Sequence, residues 1–545
     1  MSKRLYNIFF HTHTVSGIVI SVALYVIFLC GAFALFKDEI EVWEKGIPIN
    51  REKITNLDYD QLISLLKEKE HGLYARDIHI TLPQASQLAS IRITASKDTL
   101  APKEAKKRRF MYLDTDTFEI SSYYQKYSLG NFLYRLHFFS QIPRIGLYLS
   151  GSVAFFFLFA IITGVIVHWK KMISNFYLFR PKSKLKTIWS DAHTVLGMIG
   201  LPFQFMYAVT SCFLGLSVFV LLPANYIYNN NKQKLAEDLR PKAKTYLLEQ
   251  KLDSTYIVNP IIKEVTATWD DFALTEVYIK NYGATNMIVQ VEGLLNPKNK
   301  LLGSGRVTYN VPKQQVTSTK NPYQNDYHED VEFVVRHLHF ADYGGMPLKI
   351  IYAILALITC FVIITGVLIW IESRNKKNST TKQQLYTINV GHIYMAICLS
   401  LFPVIAFSFV LARLLPPDLG ERRLNVYYTV FFSLWAIVFL FFRYKRDNFF
   451  TNKFSFLIGG IIGLIIPIVN GVSSGNWIWK AYLNKEYEIL IVDIFWILLS
   501  MGSIFIVAKS KRKRPKNKYY ELKKIRKHEL SQERESRRQK KLKYN

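Results

Sequence analysis

Arg135-Leu136-His137-Phe138 leads into an apolar run that ends in Thr163-Gly164-Val165, and His337-Leu338-His339-Phe340 leads into another that ends in Thr365-Gly366-Val367. The offset from His137 to His339 equals the offset from Thr163 to Thr365, so the whole unit is duplicated. A second matched pair precedes each copy: His13-Thr14-Val15-Ser16-Gly17 and His193-Thr194-Val195-Leu196-Gly197, each at the head of a further apolar run. The chain therefore carries two copies of a two-helix module, with a histidine at one end of every helix.

Half of the 545 residues are hydrophobic, and they gather in blocks rather than spreading evenly. A block of about 20 apolar residues spans the roughly 30 Å hydrocarbon core of a bilayer. Eight such blocks occur, near 14–36, 145–168, 190–222, 347–371, 388–412, 425–442, 454–479 and 488–508. Backbone groups in lipid must be paired within their own segment, so each block predicts a helix. The expected fold class is a polytopic α-helical membrane protein with about eight membrane helices and a duplicated two-helix module. Residues 1–36, 145–168, 190–222 and 347–371 form the first four spans, and 388–508 holds four more. The first segment follows Lys3 and Arg4 but is longer than a signal-peptide core and lacks a small-residue cleavage site, so it is read as retained.

The formal charge of +29 is unevenly placed. The 169–189 loop carries Lys170, Lys171, Arg180, Lys182, Lys184 and Lys186, and the 372–387 loop carries Arg374, Lys376, Lys377 and Lys382 against Glu372. The tail, 509–545, holds 17 basic and 4 acidic residues. The positive-inside rule puts these segments and both termini in the cytoplasm. A basic run beside a membrane helix reads as an orientation signal and a contact for anionic lipid, so no nucleic-acid partner is expected. Cys30, Cys212, Cys360 and Cys398 all fall in apolar segments, which predicts neither disulfides nor a thiolate metal site.

That orientation places 37–144 and 223–346 outside. The first has helical periodicity over 56–70, then strand patterns at Ile78–Thr81, Ser90–Thr94 and Arg109–Leu113, with a turn into Phe118–Ile120. The second has a helix-compatible start at Lys232–Leu252, then strand patterns at Thr275–Ile279, Met287–Val291 and Arg306–Tyr309. Each reads as a small α+β unit.

The same orientation sorts the membrane-end histidines into two layers. His11, His13, His168, His193 and His392 fall at the inner edge, and His137, His337 and His339 at the outer edge. Taken singly, each is an ordinary interfacial histidine. The duplication changes that, because two-fold related helices bring His13 toward His193 and His137 toward His339. Paired imidazoles suit an axially held metal, and haem is the membrane cofactor that accepts the arrangement. Zinc would want four ligands, usually with cysteine or carboxylate among them. His11 and His13, like His337 and His339, point about 200° apart on a helix, so the repeat register selects His13 and His339 and leaves His11 and His337 secondary. Gly17 and Gly197 lie one turn beyond the inner histidines, where a missing side chain lets a flat macrocycle approach; close helix packing explains them equally. His168 and His392 are further inner-layer candidates, as a pair or as partners for propionates.

The His-x-x-x-Gly openings, the Leu-His-Phe and Thr-Gly-Val motifs and Asp342-Tyr343-Gly344-Gly345 resemble the PepSY-associated transmembrane family over roughly residues 1–375. The Tyr112-Leu113-Asp114 segment and its turn are similar to a PepSY domain. The resemblance implies two b-type haems held by His13, His193, His137 and His339. It further implies electron transfer toward a ferric chelate such as a siderophore, as in iron-regulated inner-membrane reductases. No Gly-x-Gly-x-x-Gly unit follows, so the donor is expected to be a separate cytoplasmic protein or a quinol. Cys30-Gly31 and Thr210-Ser211 stand where the family has Thr-Gly. Two other classes compete: a PepSY sensor or inhibitor of an extracytoplasmic protease, and a transporter of haem or a chelate.

Overall fold

A computed structural model describes residues 1–70, 72–84, 86–239, 244–252, 256–297, 300–325, 327–374, 376, 378–416, 419–512 and 518–544. Eight helices in it are long and apolar enough to cross a membrane: Lys3–Ala34, Gly146–His168, Leu201–Ile227, Gly345–Arg374, Thr381–Leu414, Arg422–Lys445, Asn448–Ser474 and Tyr487–Lys509. They are called spans one to eight. The polytopic helical fold class is borne out.

Span three begins later than the apolar run suggests. Gly200 and Pro202 interrupt that run, and the proline has no N–H to continue a helix. His193 therefore sits on its own helix, Leu185–Ile199, ahead of the span.

The two segments read as separate α+β units form one antiparallel sheet. Its order is β4-β3-β2-β1-β5-β6-β7-β8, with β1 (Ile78–Thr81), β2 (Leu88–Ile93), β3 (Arg109–Asp114) and β4 (Ile120–Ser122) from the first segment. The second segment supplies β5 (Phe272–Lys280), β6 (Ile288–Leu295), β7 (Ser304–Asn310) and β8 (Gln315–Lys320). The seam is the β1–β5 pair, in register at Ile78 with Ile279 and Ile80 with Val277. All four of those side chains are buried. Each half is a meander, and the seam relates the halves by an approximate two-fold.

One helix from each half, Tyr59–Lys69 and Asn259–Thr266, covers the apolar face through Leu62, Leu66, Ile262 and Val265. Their N-termini are tied together: Asp60 accepts from the Val258 and Asn259 amides at 2.7 and 3.1 Å, and Asn259 Oδ1 accepts from the Tyr59 amide at 2.8 Å. The helix expected over Lys232–Leu252 covers only Lys232–Leu239; residues 240–243 lie outside the described set, and 244–250 have no regular structure. Polar Gln315–Lys320 carries no strand pattern, yet it forms β8 by pairing with β7.

Between span one and the sheet lies a short helix, Lys37–Lys45, whose Glu39, Glu41 and Glu44 are buried. Buried carboxylates need partners. Glu39 takes Lys349 at 2.7 Å, Glu41 takes Lys45 at 2.9 Å and Glu44 takes Arg423 at 2.6 Å. Trp43 Nε1 donates to Asp493 at 2.8 Å, and Asn470 donates to the other oxygen of that carboxylate. This helix thus docks spans five to eight onto the duplicated module.

Candidate functional site

The repeat brings its histidines together in pairs. The His13 ring on span one lies 6.2 Å from that of His193, centroid to centroid, with the planes 72° apart. His137 ends the helix Leu129–His137, and its ring lies 6.1 Å from that of His339 on the helix Tyr327–Phe340, at 45°. The first pair packs beside the ends of spans two and four; the second lies between spans one and three.

Each of the four rings is held through Nδ1. His13 Nδ1 is 2.7 Å from the Ala160 carbonyl, and His193 Nδ1 is 3.0 Å from the equivalent carbonyl of Val362 and 3.2 Å from Thr365 Oγ1. His137 Nδ1 is 2.7 Å from the Ile27 carbonyl, and His339 Nδ1 is 3.0 Å from Thr210 Oγ1. A partner of this kind fixes the tautomer and leaves the other ring nitrogen to act as a ligand. Burial lowers the proton affinity of His137 and pushes His339 down to about 3, with the neighbouring His137 adding to the effect. Both outer rings are then neutral, the state a metal ligand needs.

The Thr-Gly-Val motifs acquire a physical reason here. A Cβ on Gly164 would stand 3.0 Å from His13 Cε1, and one on Gly366 would stand 3.3 Å from His193 Cε1. Gly31 does the same for the outer pair, 2.8 Å from His137 Nδ1. Gly17 and Gly197 face open space: a Cβ on Gly17 would meet nothing within 4 Å, and one on Gly197 only Val362 Cγ1 at 4.0 Å. The glycines that admit the rings are thus Gly31, Gly164 and Gly366.

The donor set can be tested against haem. Among the described residues no group of three or more His, Cys, Asp or Glu side chains converges as a metal site. A pair supplies two ligands, so a group bringing its own equatorial nitrogens fits and a bare ion does not. Imidazole–metal bonds of about 2.0–2.1 Å on either side of one ion, with a ring half-width at each end, separate the ring centres by roughly 6 Å. Both pairs meet that separation. A cavity of about 320 Å³ opens beside the outer pair, lined by His137, His339, Gly31, Phe28, Phe157 and Tyr207 among others. An apolar wall with two convergent imidazoles suits a flat, mostly apolar cofactor.

Three of the secondary candidates point elsewhere, whereas His168 lies near the first pair, close enough to interact electrostatically with His13 and His193. His11 is exposed and its ring meets Phe10. His337 bonds Asp342 and packs 3.9 Å from Phe333. His168 ends span two. His392 is buried against Tyr519 at 5.8 Å. The residues missed from sequence are those that hold the rings. Tyr207 donates to the His339 carbonyl at 2.9 Å and its ring lies 5.0 Å from the imidazole, tilted by 53°, and Thr210 holds the imidazole Nδ1. Thr210 was visible only as the neighbour of Ser211, which departs from Thr-Gly, and Asp342 only as part of a motif.

A family model described as PepSY-associated TM region matches residues 10–373. No curated protein matches the chain.

Proposed function

The chain belongs to the PepSY-associated TM family, and on that footing we propose that it carries electrons through a bacterial inner membrane to ferric chelates outside. In this reading His13 with His193, and His137 with His339, are the axial ligands of two b-type haems, one near each face. The observation that carries the reading is the pair geometry: ring centres 6.2 and 6.1 Å apart at two depths, each ring held through Nδ1.

Haem held by two histidines supplies one-electron chemistry with no open coordination site. The chain supplies the rest. The carbonyls of Ala160, Ile27 and Val362 and the Thr210 hydroxyl orient the rings. Phe28, Phe157 and Phe203 help keep the outer cavity apolar. The basic segments 169–189, 372–387 and 509–545 face the cytoplasm in this proposal, with both termini, and the eight-stranded sheet lies outside. The acceptor is a ferric siderophore or similar chelate, and the donor is a quinol or a separate cytoplasmic protein. The tail meets anionic lipid.

The test is a reduced-minus-oxidised absorption spectrum of the purified protein from haem-replete cells. A low-spin b-type signal is expected, with His339→Ala and His13→Ala each removing about half of it. A colourless protein, or full haem in both variants, rejects the assignment.

A further inference from the structure

A second polar cluster sits at the His193 end of the bundle, beyond the residues that match the family. Gly366 touches the His193 ring, and five residues on, Ile371 touches the site where a Cβ on Gly391 would stand. Span five brings Asn389, Gly391 and His392 to this place. The tight corner between spans six and seven brings Arg443, Arg446, Asp447 and Asn448, and the tail helix Lys518–Tyr544 brings Tyr519.

Arg443 donates to Asn389 Oδ1 at 3.2 Å. Asn389 and His392, three apart on a helix, share a face, so Arg443 and His392 meet there. A Cβ on Gly391 would be 3.4 Å from Asn448 Nδ2, which puts Asn448 on the same side. Tyr519 roofs the group: its ring lies 5.8 Å from that of His392, its hydroxyl accepts from Arg446, and the Arg446 guanidinium lies 4.8 Å over the ring.

Among the described residues, three buried polar atoms in this cluster have no hydrogen-bond partner: His392 Nδ1, Arg443 Nη1 and Asn448 Oδ1. His392 is only 7% exposed. The charge is unbalanced as well. Among the described residues the charged groups that face His392 are Arg443, Arg446 and one carboxylate, Asp447, and Arg512 already takes both oxygens of that carboxylate at 2.6 and 3.2 Å. Asp447 also caps the Phe449 and Phe450 amides. A buried guanidinium N–H left open costs free energy, and such groups in native proteins call for an explanation.

An acceptor-only anion would satisfy all three. Arg443 Nη1 donates to it, His392 donates from Nδ1 in that tautomer, and the Asn448 amide turned by 180° presents Nδ2. We propose that His392, Arg443 and Asn448 form a phosphate-binding site, covered by Arg446 and Tyr519, for the phosphate of an anionic phospholipid. The lipid is favoured over a soluble phosphate ester because the cluster lies where apolar spans end and a basic tail begins. The site shares no residue with the four paired histidines.

The experiment uses the full chain, delipidated in a neutral detergent, with thermal midpoint and native mass spectrometry as readouts. Phosphatidylglycerol is expected to raise the midpoint and to be retained at one per chain, and phosphatidylcholine to do neither. Arg443→Gln should weaken that retention by about tenfold or more, since one charge-assisted hydrogen bond is lost. Lys523→Gln, on an exposed part of the tail helix, should not. Asn448→Asp places a carboxylate in the cluster that holds Arg443; it should abolish retention while raising the midpoint of the lipid-free protein, which keeps the test clear of simple misfolding. Inorganic phosphate reproducing the effect in the wild type but not in Arg443→Gln supports the site and assigns a soluble ester. Equal response to both lipids, or wild-type retention in Arg443→Gln and Asn448→Asp, overturns the proposal.

Discussion

The Thr210 hydroxyl stands 3.0 Å from Nδ1 of His339, in the place where the first copy of the repeat offers His137 a backbone carbonyl, that of Ile27, at 2.7 Å. Thr210 itself donates back to the Met206 and Tyr207 carbonyls of its own helix. The two outer rings are therefore held by different chemistry despite the duplication: one by a fixed backbone acceptor, the other by a hydroxyl that can be removed.

Thr210→Val tests this asymmetry. The isosteric change deletes the partner of His339 and leaves His137 untouched. Loss of a second-shell partner of this kind costs about 10–100-fold in metal affinity. Haem titration of the purified variant should show one weakened site and one unchanged site.

Gly31→Val addresses space rather than hydrogen bonding. Its Cβ would lie 2.8 Å from His137 Nδ1, the atom that the Ile27 carbonyl holds, so the ring must leave that partner. The outer ligand pair should be lost, and about half of the haem spectrum with it. Gly17→Ala, where a Cβ meets nothing within 4 Å of protein, should fold normally. Any loss of haem in that variant would come from contact with the cofactor.

Glu44 ties the two halves of the membrane region together. Its carboxylate takes Arg423 at 2.6 and 3.1 Å, the Tyr427 hydroxyl at 2.6 Å and the Leu129 amide at 2.7 Å, the last at the start of the helix that carries His137. Glu44→Ala strands a largely buried guanidinium, a change that costs about 3–5 kcal/mol. A thermal scan should show the loss, and the double variant with Arg423→Met should recover part of it.

Lys280, at the end of β5, gives a pH signature. Burial pushes its ammonium down to about 8. A lysine lowered in the folded state is neutral there at pH values where the unfolded chain still binds a proton. Folding is therefore favoured as pH rises from about 8 toward 10, and the gain is lost as pH falls through that window. Melting curves of the wild type should rise across it relative to Lys280→Met, which removes the titrating group.

Much of the membrane architecture was legible because it rests on length and apolarity, both local properties. The pairing of His13 with His193 and of His137 with His339 followed from the repeat register, since duplicated helices place equivalent residues face to face. What stayed hidden depends on partners distant in the chain. Lys37–Lys45 carries charges at most of its positions, and its glutamates are buried only because Lys349 and Arg423 close over them. The role of Gly164 and Gly366 was invisible for the same reason: the ring each admits belongs to another helix. β8 carries no apolar alternation at all and exists because β7 offers it an edge. The joining of two α+β units into one sheet needed the β1–β5 register, which no local pattern records.

That β1–β5 seam sets a timetable for synthesis. Thr81 leaves the ribosome 191 residues before Phe272, the first residue of β5. At about 5–20 residues per second the open edge of β1 waits roughly 10–40 s for its partner. Two membrane helices must insert in that interval, and an unpaired edge strand is an aggregation hazard throughout it. A newborn first half is thus a half-built sheet in need of a guardian, and chaperones that bind bare strand edges should engage this chain before its third span is in place.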